Sequence, residues 1–258
     1  MCSSEQLQIE LNDGILTLRL NRPDKRNALN LAMYRALADG LRLADEDDAV
    51  RAVLIAGSED CFTSGNDLAD FIPSPPTAAD SPVLAFLGAI SRFRKPIVAA
   101  VNGAAVGVGV TMLLHCDLVY AGDGASFRLP FVNLGLCPEA GSTLLFPRLM
   151  GHQRAAELLL WGEPFDARKA LEVGIVNAIL PVGEVLAAAR AKALQVAAQP
   201  AASVRLTKAL LKQEYEVSLQ ETIMIEAVHF VKRLQSPEAG EALQAFMERR
   251  KPDFARFA

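Results

Sequence analysis

The sequence has only four cysteines and no excess of basic residues. The first feature argues against a disulfide-bonded protein, and the second argues against a nucleic-acid-binding protein. The four cysteines form no CxxC pair, and three of them stand among apolar or small residues, as reduced and packed thiols do. We therefore expect a cytoplasmic protein. The net charge of −4 gives no electrostatic reason to expect a nucleic-acid partner.

Motifs for nucleophilic, metal and nucleotide chemistry are also lacking. There is no GxSxG, and the three histidines are scattered along the chain. Consecutive side chains such as those of residues 115–117 (His-Cys-Asp) point in different directions, which favours core packing over metal binding. Gly107-x-Gly109 has Met112 where a dinucleotide loop needs its third glycine, and no GxxxxGK occurs. We predict no metal and no separate cofactor.

One uncharged stretch has the length of a membrane span. Residues 96–116, "PIVAAVNGAAVGVGVTMLLHC", match the roughly 20 residues that cross a bilayer. Asn102-Gly103 is a turn signal that divides the stretch into a β-branched run and a glycine-rich run. We predict a buried strand followed by a buried helix, and no membrane segment. No secretory or peroxisomal signal is recognisable at either end of the sequence.

The remaining pattern is that of a globular α/β protein, with 51% hydrophobic and 22% charged residues. "LQIEL" and "ILTLRL" flank a turn at Asn12-Asp13-Gly14 that predicts a hairpin. Leu29, Met33, Leu37 and Leu41 are spaced for one apolar helix face. "RAVLIAG" and "KPIVAAV" read as buried strands, and "VLAFLGAISRF" as a helix.

From Glu184 onward the pattern is almost wholly helical, and Ser236-Pro237 starts one of the helices. We predict a core over residues 1–198 and a helical region over residues 199–258. The helical region has too little apolar content for a core of its own, so it is expected to pack on its own core domain or on a neighbouring subunit.

Two glycine-containing loops follow predicted buried strands. "CFTSGNDLADF" (residues 61–71) and "VNGAAVGVGV" (residues 101–110) leave bare backbone open to close approach by a ligand. Taken alone, the first is an ordinary loop that leads into a helix capped by Asp67. Together, the two loops could direct two backbone N–H groups at one oxygen, which would be an oxyanion hole.

Glu139 stands in "LGLCPEAGSTLLFPRLMG" (residues 134–151), between a proline and a run of small residues. Pro138 suits the first position of a helix, and this would place Glu139 in the first turn, where the helix dipole favours negative charge. The alternative is a general base. Local sequence leaves both interpretations open.

Five blocks of the sequence resemble, in order and spacing, those of the crotonase superfamily, the enoyl-CoA hydratase/isomerase family. They are "LNRPDKRNALN", "FTSGNDLADF", "KPIVAAVNGAAVGVGVTMLLHCDLVYA", "ASFRLPFVNLGLCPEAGSTLLFPRLMG" and "GEPFDARKALEVGIVNAIL". The resemblance implies an α/β, crotonase-like spiral of ββα units with a C-terminal helical trimerisation region. It also implies an acyl-CoA thioester substrate and a homotrimer or a dimer of trimers.

The resemblance implies roles for particular residues. The oxyanion donors would be the backbone N–H groups of Asn66 and Val108. Substrate contacts in the same loops would come from Ser64, Gly65, Asp67, Leu68 and Gly107. Lys25 and Arg26 would meet the phosphates of CoA and the Ala28 backbone its adenine, although a solvated turn explains those charges equally well.

The acidic residues indicate the branch of the family. Thr111 and Phe131 occupy the positions where the resembled hydratases carry their two glutamates. Glu139 stands where "SPEG"-like motifs occur in Δ3,Δ2-enoyl-CoA isomerases. The resemblance therefore implies a single-glutamate isomerase that moves a 3-enoyl double bond to the 2-trans position. Hydration, hydrolysis or dehalogenation through the same enolate, and acyl-CoA binding without catalysis, remain alternatives.

Overall fold

The structure, a computed structural model, describes residues 5–67 and 81–257. Its strands are β1 Leu7–Asn12, β2 Ile15–Leu20, β3 Ala52–Ala56, β4 Cys61–Thr63, β5 Ile97–Val101, β6 Ala104–Val106, β7 Leu118–Gly122, β8 Ser126–Arg128, β9 Phe165–Asp166 and β10 Ala178–Leu180. One sheet has the order β1-β2-β3-β5-β7-β10, and a smaller sheet has the order β4-β6-β8-β9.

The helices connect and cover these strands. They are α1 Leu31–Glu46, α2 Pro82–Arg92, α3 Val108–Thr111, α4 Ser142–Met150, α5 His152–Trp161, α6 Ala167–Glu172, α7 Val185–Ala197, α8 Ala201–Gln213, α9 Glu216–Leu234 and α10 Pro237–Met247. Short 3-10 turns lie at Pro23–Lys25, Met112–His115, Val132–Leu134, Val182–Glu184 and Ala255–Phe257.

The large sheet is buried on both faces. β1 and β2 form the predicted hairpin, whose turn has positive φ at Asp13 (53°) and Gly14 (76°). From β2 onward the strands pair in parallel. Every residue of β3 and β5 is buried, as expected for parallel strands covered by helices. The α/β class and the crotonase-like fold predicted from the sequence are thereby confirmed.

The uncharged stretch forms the predicted buried strand and buried helical segment, with an additional strand between them. β5 ends at Val101, and the chain then turns at Gly103 and forms the additional strand β6 before the short α3. Gly103 has φ +60°, and a Cβ there would lie 1.8 Å from the Asp60 carbonyl oxygen. This close approach brings β6 beside β4. Among the described residues, no helix is long and apolar enough to cross a membrane.

The C-terminal helices contribute to the main core. The long helical run divides into α8 and α9 at residues 214–215, and Ser236 caps α10 as predicted. Leu219, Ile223 and Phe230 of α9 belong to the same buried cluster as α1 and α2. The opposite side of these helices carries exposed apolar side chains: Leu206, Leu210, Leu211, Val217, Met224, Ile225 and Val228.

Candidate active site

The two glycine-containing loops lie side by side. β4 and β6 pair in parallel, so their carboxyl ends meet at the same edge of the small sheet. A Cβ on Gly65 would lie 2.8 Å from the carbonyl oxygen of Val106. A Cβ on Gly109 would lie 2.5 Å from the Thr63 side chain. The loops can approach this closely only because both positions lack a side chain.

The direction of the Asn66 N–H follows from its neighbours. The Gly65 carbonyl accepts from the Leu29 N–H at 2.8 Å, and the Asp67 N–H donates to the Leu29 carbonyl at 2.9 Å. In a trans peptide the C=O and the N–H point in opposite directions, so the N–H of Asn66 points away from Leu29. This N–H has no acceptor within residues 5–67 and 81–257.

The Val108 N–H is left unpaired by the start of helix α3. The Gly107 carbonyl accepts from the N–H groups of Val110 (2.9 Å) and Thr111 (3.0 Å), so the Val108 N–H projects out of the helix N-terminus. It also has no acceptor in the described part of the chain. Gly107 has φ 55° and ψ −116°, a conformation that essentially only glycine adopts, and no atom of the described residues lies within 4 Å of the position that a Cβ would occupy. Two unpaired donors therefore lie on adjacent loops.

Buried polar groups hold the first loop in place. The Thr63 hydroxyl donates to the Asn27 carbonyl at 2.6 Å and accepts from the Gly65 N–H at 3.1 Å. The Tyr34 hydroxyl of α1 donates to the side-chain oxygen of Asn66. The loop is thus fixed from both sides, which preorganises its backbone N–H groups.

Glu139 lies before helix α4, in disagreement with the first-turn position predicted from Pro138. Ala140 (φ 64°) and Gly141 (φ 72°) are both left-handed, so the helix begins only at Ser142. A helix cannot continue through two such residues. The accompanying expectation that the helix dipole would keep Glu139 ionised is also wrong.

Glu139 is instead a buried carboxyl with a raised pKa. Glu139 is only 7% exposed, and this burial raises the pKa of its carboxyl to about 7. The Thr111 hydroxyl opposes this by donating to Oε1 at 2.5 Å, and the charge of Glu226 adds to the increase. A carboxyl with a pKa near neutrality can both accept and return a proton at physiological pH.

Of the two positions that carry glutamates in the resembled hydratases, the one at Thr111 adjoins Glu139. Thr111, at the end of α3, contacts Glu139 directly, so a single short helix links the Val108 N–H to this carboxyl. Phe131 is buried in the core. Neither side chain can take or give a proton as a carboxyl does.

A small, mostly apolar pocket lies in front of Glu139. Its described lining is Asn66, Val83, Leu84, Leu87, Glu139, Ala140, Ile223, Ala227 and Phe230. Among these residues, only Asn66 and Glu139 are polar, and the others come largely from α2 and α9. An apolar pocket with two convergent polar groups suits a hydrocarbon chain joined to a reactive polar group.

A phenylalanine side chain can line an acyl pocket or pack in the core, and core packing is the commoner role. Phe62, Phe86 and Phe131 are buried in the core, as core packing predicts, and are absent from the described lining. Phe71 lies outside the described residues. Phe230 of α9 lines the pocket, which the sequence did not indicate.

The candidate CoA residues lie next to the first loop. Lys25 and Arg26 are exposed at a 3-10 turn, and the Ser64 N–H donates to the Arg26 carbonyl at 3.0 Å. The Ala28 carbonyl accepts from Nη1 of Arg22 at 3.1 Å. A basic, exposed turn is thereby attached to the candidate oxyanion loop, where it could meet phosphate groups.

Asp67 has a structural partner. Its carboxylate forms an ion pair of 2.6 Å with Arg22, and both side chains are largely buried. This pair ties the end of the first loop to the segment that carries Lys25 and Arg26. Leu68, the other residue predicted to contact substrate here, lies outside the described residues, as does the helix that Asp67 was expected to cap.

Within residues 115–117 only His115 packs in the interior as predicted, whereas Cys116 is half-buried and Asp117 is exposed. His115 is buried, and its Nε2 donates to the Ala140 carbonyl at 2.8 Å. Burial lowers the pKa of His115 to about 4, so the ring is neutral. Asp117 pairs with Lys208 at 2.7 Å. Among the described residues, no group of three or more His, Cys, Asp or Glu side chains is arranged to hold a metal ion.

Sequence reasoning missed three residues around Glu139. Tyr34 contacts Asn66, His115 contacts Ala140, and Glu226 accepts from the Gly141 N–H at 2.6 Å. Only Glu226 left a signal in the sequence. It falls in the stripe of α9 that also carries Leu219 and Ile223, and an acid on an apolar helix face indicates a buried partner.

The raised pKa predicts that Glu139→Gln makes the protein more stable in alkali. A carboxyl whose pKa rises from 4.5 to about 7 on folding destabilises the folded state progressively as the pH rises between those values. The cost above neutrality is about 3 kcal/mol. We expect the stability of the variant relative to wild type to increase by a large part of this between pH 4.5 and 8, measured by urea unfolding. The Glu221→Gln variant, changed at an exposed residue, should show no such trend. If the free energies of unfolding of Glu139→Gln and wild type changed in parallel with pH, the raised pKa of Glu139 would be contradicted.

Comparison with known proteins identifies the family. A family model described as enoyl-CoA hydratase/isomerase matches residues 10–256. Human enoyl-CoA delta isomerase 2 is 34% identical over 253 residues, covering 95% of this chain but only 64% of that protein. The 2,3-dehydroadipyl-CoA hydratase of Escherichia coli K12 is 34% identical over 250 residues, covering 96% of this chain and 98% of that protein. The crystal structure of an enoyl-CoA hydratase/isomerase from Pseudoalteromonas atlantica T6c matches with a TM-score of 0.93 at 44% identity, covering 96% of this chain and 99% of that chain. This chain belongs to the enoyl-CoA hydratase/isomerase family.

Proposed function

We propose that the protein is a Δ3,Δ2-enoyl-CoA isomerase in which Glu139 is the only acid and base. The observation that carries the proposal is one buried carboxyl, with a pKa of about 7, at an apolar pocket that it shares with Asn66. Thr111 and Phe131 stand at the positions where the resembled hydratases carry their two glutamates, so that pair of carboxyls is absent.

The proposed reaction moves one proton between two carbons. The Glu139 carboxylate removes a proton from C2 of a 3-enoyl thioester, and the electron pair of that C–H bond delocalises into a dienolate. The thioester oxygen then carries the negative charge and accepts from the N–H groups of Asn66 and Val108. The protonated Glu139 returns its proton to C4, which leaves the double bond between C2 and C3. The carboxylate is regenerated, so the cycle needs no further reactant.

The environment of Glu139 suits this shuttle. Base strength and acid strength must both be adequate, and a pKa near the working pH provides both. The Thr111 hydroxyl holds one carboxyl oxygen and leaves the other to reach the substrate. Each oxyanion donor is expected to contribute about 3 to 4 kcal/mol to stabilisation of the transition state.

A hydratase is the second candidate. The relative from E. coli is named a hydratase, and the human relative is named an isomerase, so relatives at the same identity differ in reaction. Water addition commonly uses one group to activate water and another to protonate carbon. Glu139 is the only carboxyl in the described lining of the pocket, which favours the isomerase.

Incubation of the purified protein with 3-hexenoyl-CoA tests the proposal. Isomerisation produces a conjugated thioester of unchanged mass, seen by ultraviolet absorbance and mass spectrometry. Hydration of 2-hexenoyl-CoA would add the mass of one water, and hydrolysis would release free CoA. Turnover of 2-hexenoyl-CoA to the hydrated product without isomerisation of the 3-enoyl substrate would reject the isomerase in favour of the hydratase.

The pKa of Glu139 predicts the pH dependence of the reaction. The base must be ionised to start the cycle, so kcat/KM should increase about tenfold per pH unit below pH 7 and level off above it. Initial rates with 3-hexenoyl-CoA between about pH 5.5 and 8.5 measure this limb. A flat profile over that range would contradict a base with a pKa of about 7.

Further expectations from the family resemblance remain proposals. The CoA portion of the substrate would contact Lys25, Arg26 and the Ala28 backbone, and no separate cofactor would be required. The exposed apolar residues of α8 and α9 support an interface with another subunit. The homotrimer, or dimer of trimers, follows from the family resemblance, and the cytoplasmic location from the pattern of cysteines. A mass of one chain by light scattering would reject that assembly.

A further inference from the structure

The turn that carries Glu139 has a conformation that needs support. Ala140 is a buried, non-glycine residue with φ 64°, a left-handed conformation that residues with a Cβ adopt only at a cost. Gly141 follows with φ 72°. A turn with two successive left-handed residues persists only where its surroundings favour that conformation over others.

Helix α9 supplies this support through one face. Leu219, Ile223 and Glu226 follow one another at helical spacing, and all three face the turn. A Cβ on Gly141 would lie 2.3 Å from Cδ1 of Leu219 and 3.3 Å from the Ile223 side chain. Gly141 therefore packs its backbone directly against α9.

Glu226 binds the turn with both carboxyl oxygens. Oε2 accepts from the Gly141 N–H at 2.6 Å. Oε1 accepts from the N–H of Thr143 at 2.9 Å and from its hydroxyl at 2.6 Å. The helix α4 has no side-chain cap of its own, so a carboxylate from a distant helix caps it. Glu226 thus takes the helix-start position that the sequence suggested for Glu139.

We infer that Glu226 is a positioning residue for Glu139, because its carboxylate holds residues 140–143 against α9 and thereby determines where the Glu139 carboxyl points. The inference rests on the proposed function of Glu139 as base. His115 assists from the opposite side by donating to the Ala140 carbonyl. The direction of the Glu139 side chain therefore depends on the correct packing of helix α9, whose Glu226 lies 87 residues further along the chain.

The charge of Glu226 also acts on Glu139. It adds to the increase in the pKa of Glu139 that burial causes. The other described titratable groups near Glu139 are Tyr34 of α1 and Cys137 of the preceding segment, whose pKa values its charge raises, and the neutral His115 behind Ala140. Removing the charge of Glu226 should therefore make Glu139 a stronger acid.

The test uses Glu226→Gln, with Glu221→Gln on the exposed face of the same helix as control. Glutamine has the size of glutamate, but its NH₂ group would face a backbone N–H donor. At least one of the hydrogen bonds that Gly141 and Thr143 donate to residue 226 is therefore lost. We expect kcat with 3-hexenoyl-CoA to decrease at least about tenfold with KM within about threefold, since misplacing a reacting group costs up to about 10²-fold. Glu221→Gln should match the wild type.

A measurement without substrate accompanies the kinetics. Carbon-13 NMR of glutamate-labelled protein follows the Glu139 carboxyl, whose resonance is assigned by its loss in Glu139→Gln. In Glu226→Gln we expect its titration midpoint to move to lower pH. If Glu226→Gln fails to fold by circular dichroism, Thr143→Val replaces it, because it removes one of the three hydrogen bonds; kcat should then decrease by a smaller factor with KM unchanged.

The two proposals can fail separately. A wild type that does not isomerise 3-hexenoyl-CoA rejects the proposed function, and an unmoved midpoint of Glu139 in folded Glu226→Gln then overturns the positioning inference separately. With an active wild type, either an unmoved midpoint or a kcat within about threefold of wild type in that variant overturns the inference. With Thr143→Val as the replacement, an unchanged kcat overturns it.

Discussion

Glu139→Gln is expected to lower kcat for the isomerisation of 3-hexenoyl-CoA by about 10²- to 10⁴-fold, the range found when a general base is removed. Glutamine has the shape of glutamate and can still accept from the Thr111 hydroxyl, so the pocket should keep its form. KM should change little, because the acyl chain would contact mainly the apolar lining. Steady-state kinetics on the purified variant measure both values.

Two further variants make this result specific. Glu139→Asp keeps a carboxyl but withdraws it by one methylene, so its kcat should fall between those of wild type and Glu139→Gln. Glu221→Gln, an exposed acid on α9, should have no effect. A decrease of less than about tenfold for folded Glu139→Gln would remove Glu139 from the role of base.

Gly107→Ala is expected to lower kcat by about 10²- to 10³-fold, the cost of losing one oxyanion donor. The conformation of Gly107, φ 55° and ψ −116°, is strained for any residue with a Cβ. No atom of the described residues lies within 4 Å of the position that a Cβ would occupy, so the substitution is expected to act through the backbone. The strain should rotate the peptide that carries the Val108 N–H.

Gly183→Ala is a matched control for this variant. A Cβ at Gly183 would also meet no atom of residues 5–67 and 81–257 within 4 Å, but its φ is not in the left-handed region, so the change should be neutral. Gly65→Ala perturbs the other donor, because φ is 92° and the Cβ would lie 2.8 Å from the Val106 carbonyl oxygen. Folded Gly107→Ala and Gly65→Ala proteins with the kcat of wild type would argue against the two N–H groups as an oxyanion hole.

The candidate site holds several features that reduce stability. Ala140 is left-handed, Gly107 has a conformation closed to other residues, and Glu139 is a carboxyl buried at a cost above neutral pH. Such features persist where function requires a fixed geometry and the surrounding structure compensates. Here the compensation comes from Glu226, which satisfies three donors at once.

Local patterns predicted much of the fold correctly. The hairpin at Asn12-Asp13-Gly14, the buried strands β3 and β5 and the start of α10 at Ser236-Pro237 all depend on short-range turn chemistry or hydrophobic runs. The prediction of a helix start at Pro138 was wrong because proline permits a helix but does not require one. Packing of Gly141 against Leu219, distant in the chain, decides that boundary.

The sequence alone determined the α/β class and the two glycine-containing loops. It also determined that Glu139 is present while the two glutamates of the resembled hydratases are absent. Each of these features depends on residue type and spacing. Tertiary structure decided which groups meet. The pairing of β4 with β6 brought the two loops together, and burial of Glu139 raised its pKa. The N-terminus of helix α4 is capped by Glu226 and not by Glu139. The physical reason is that burial and hydrogen bonding depend on neighbours brought from elsewhere in the chain, which no local pattern specifies.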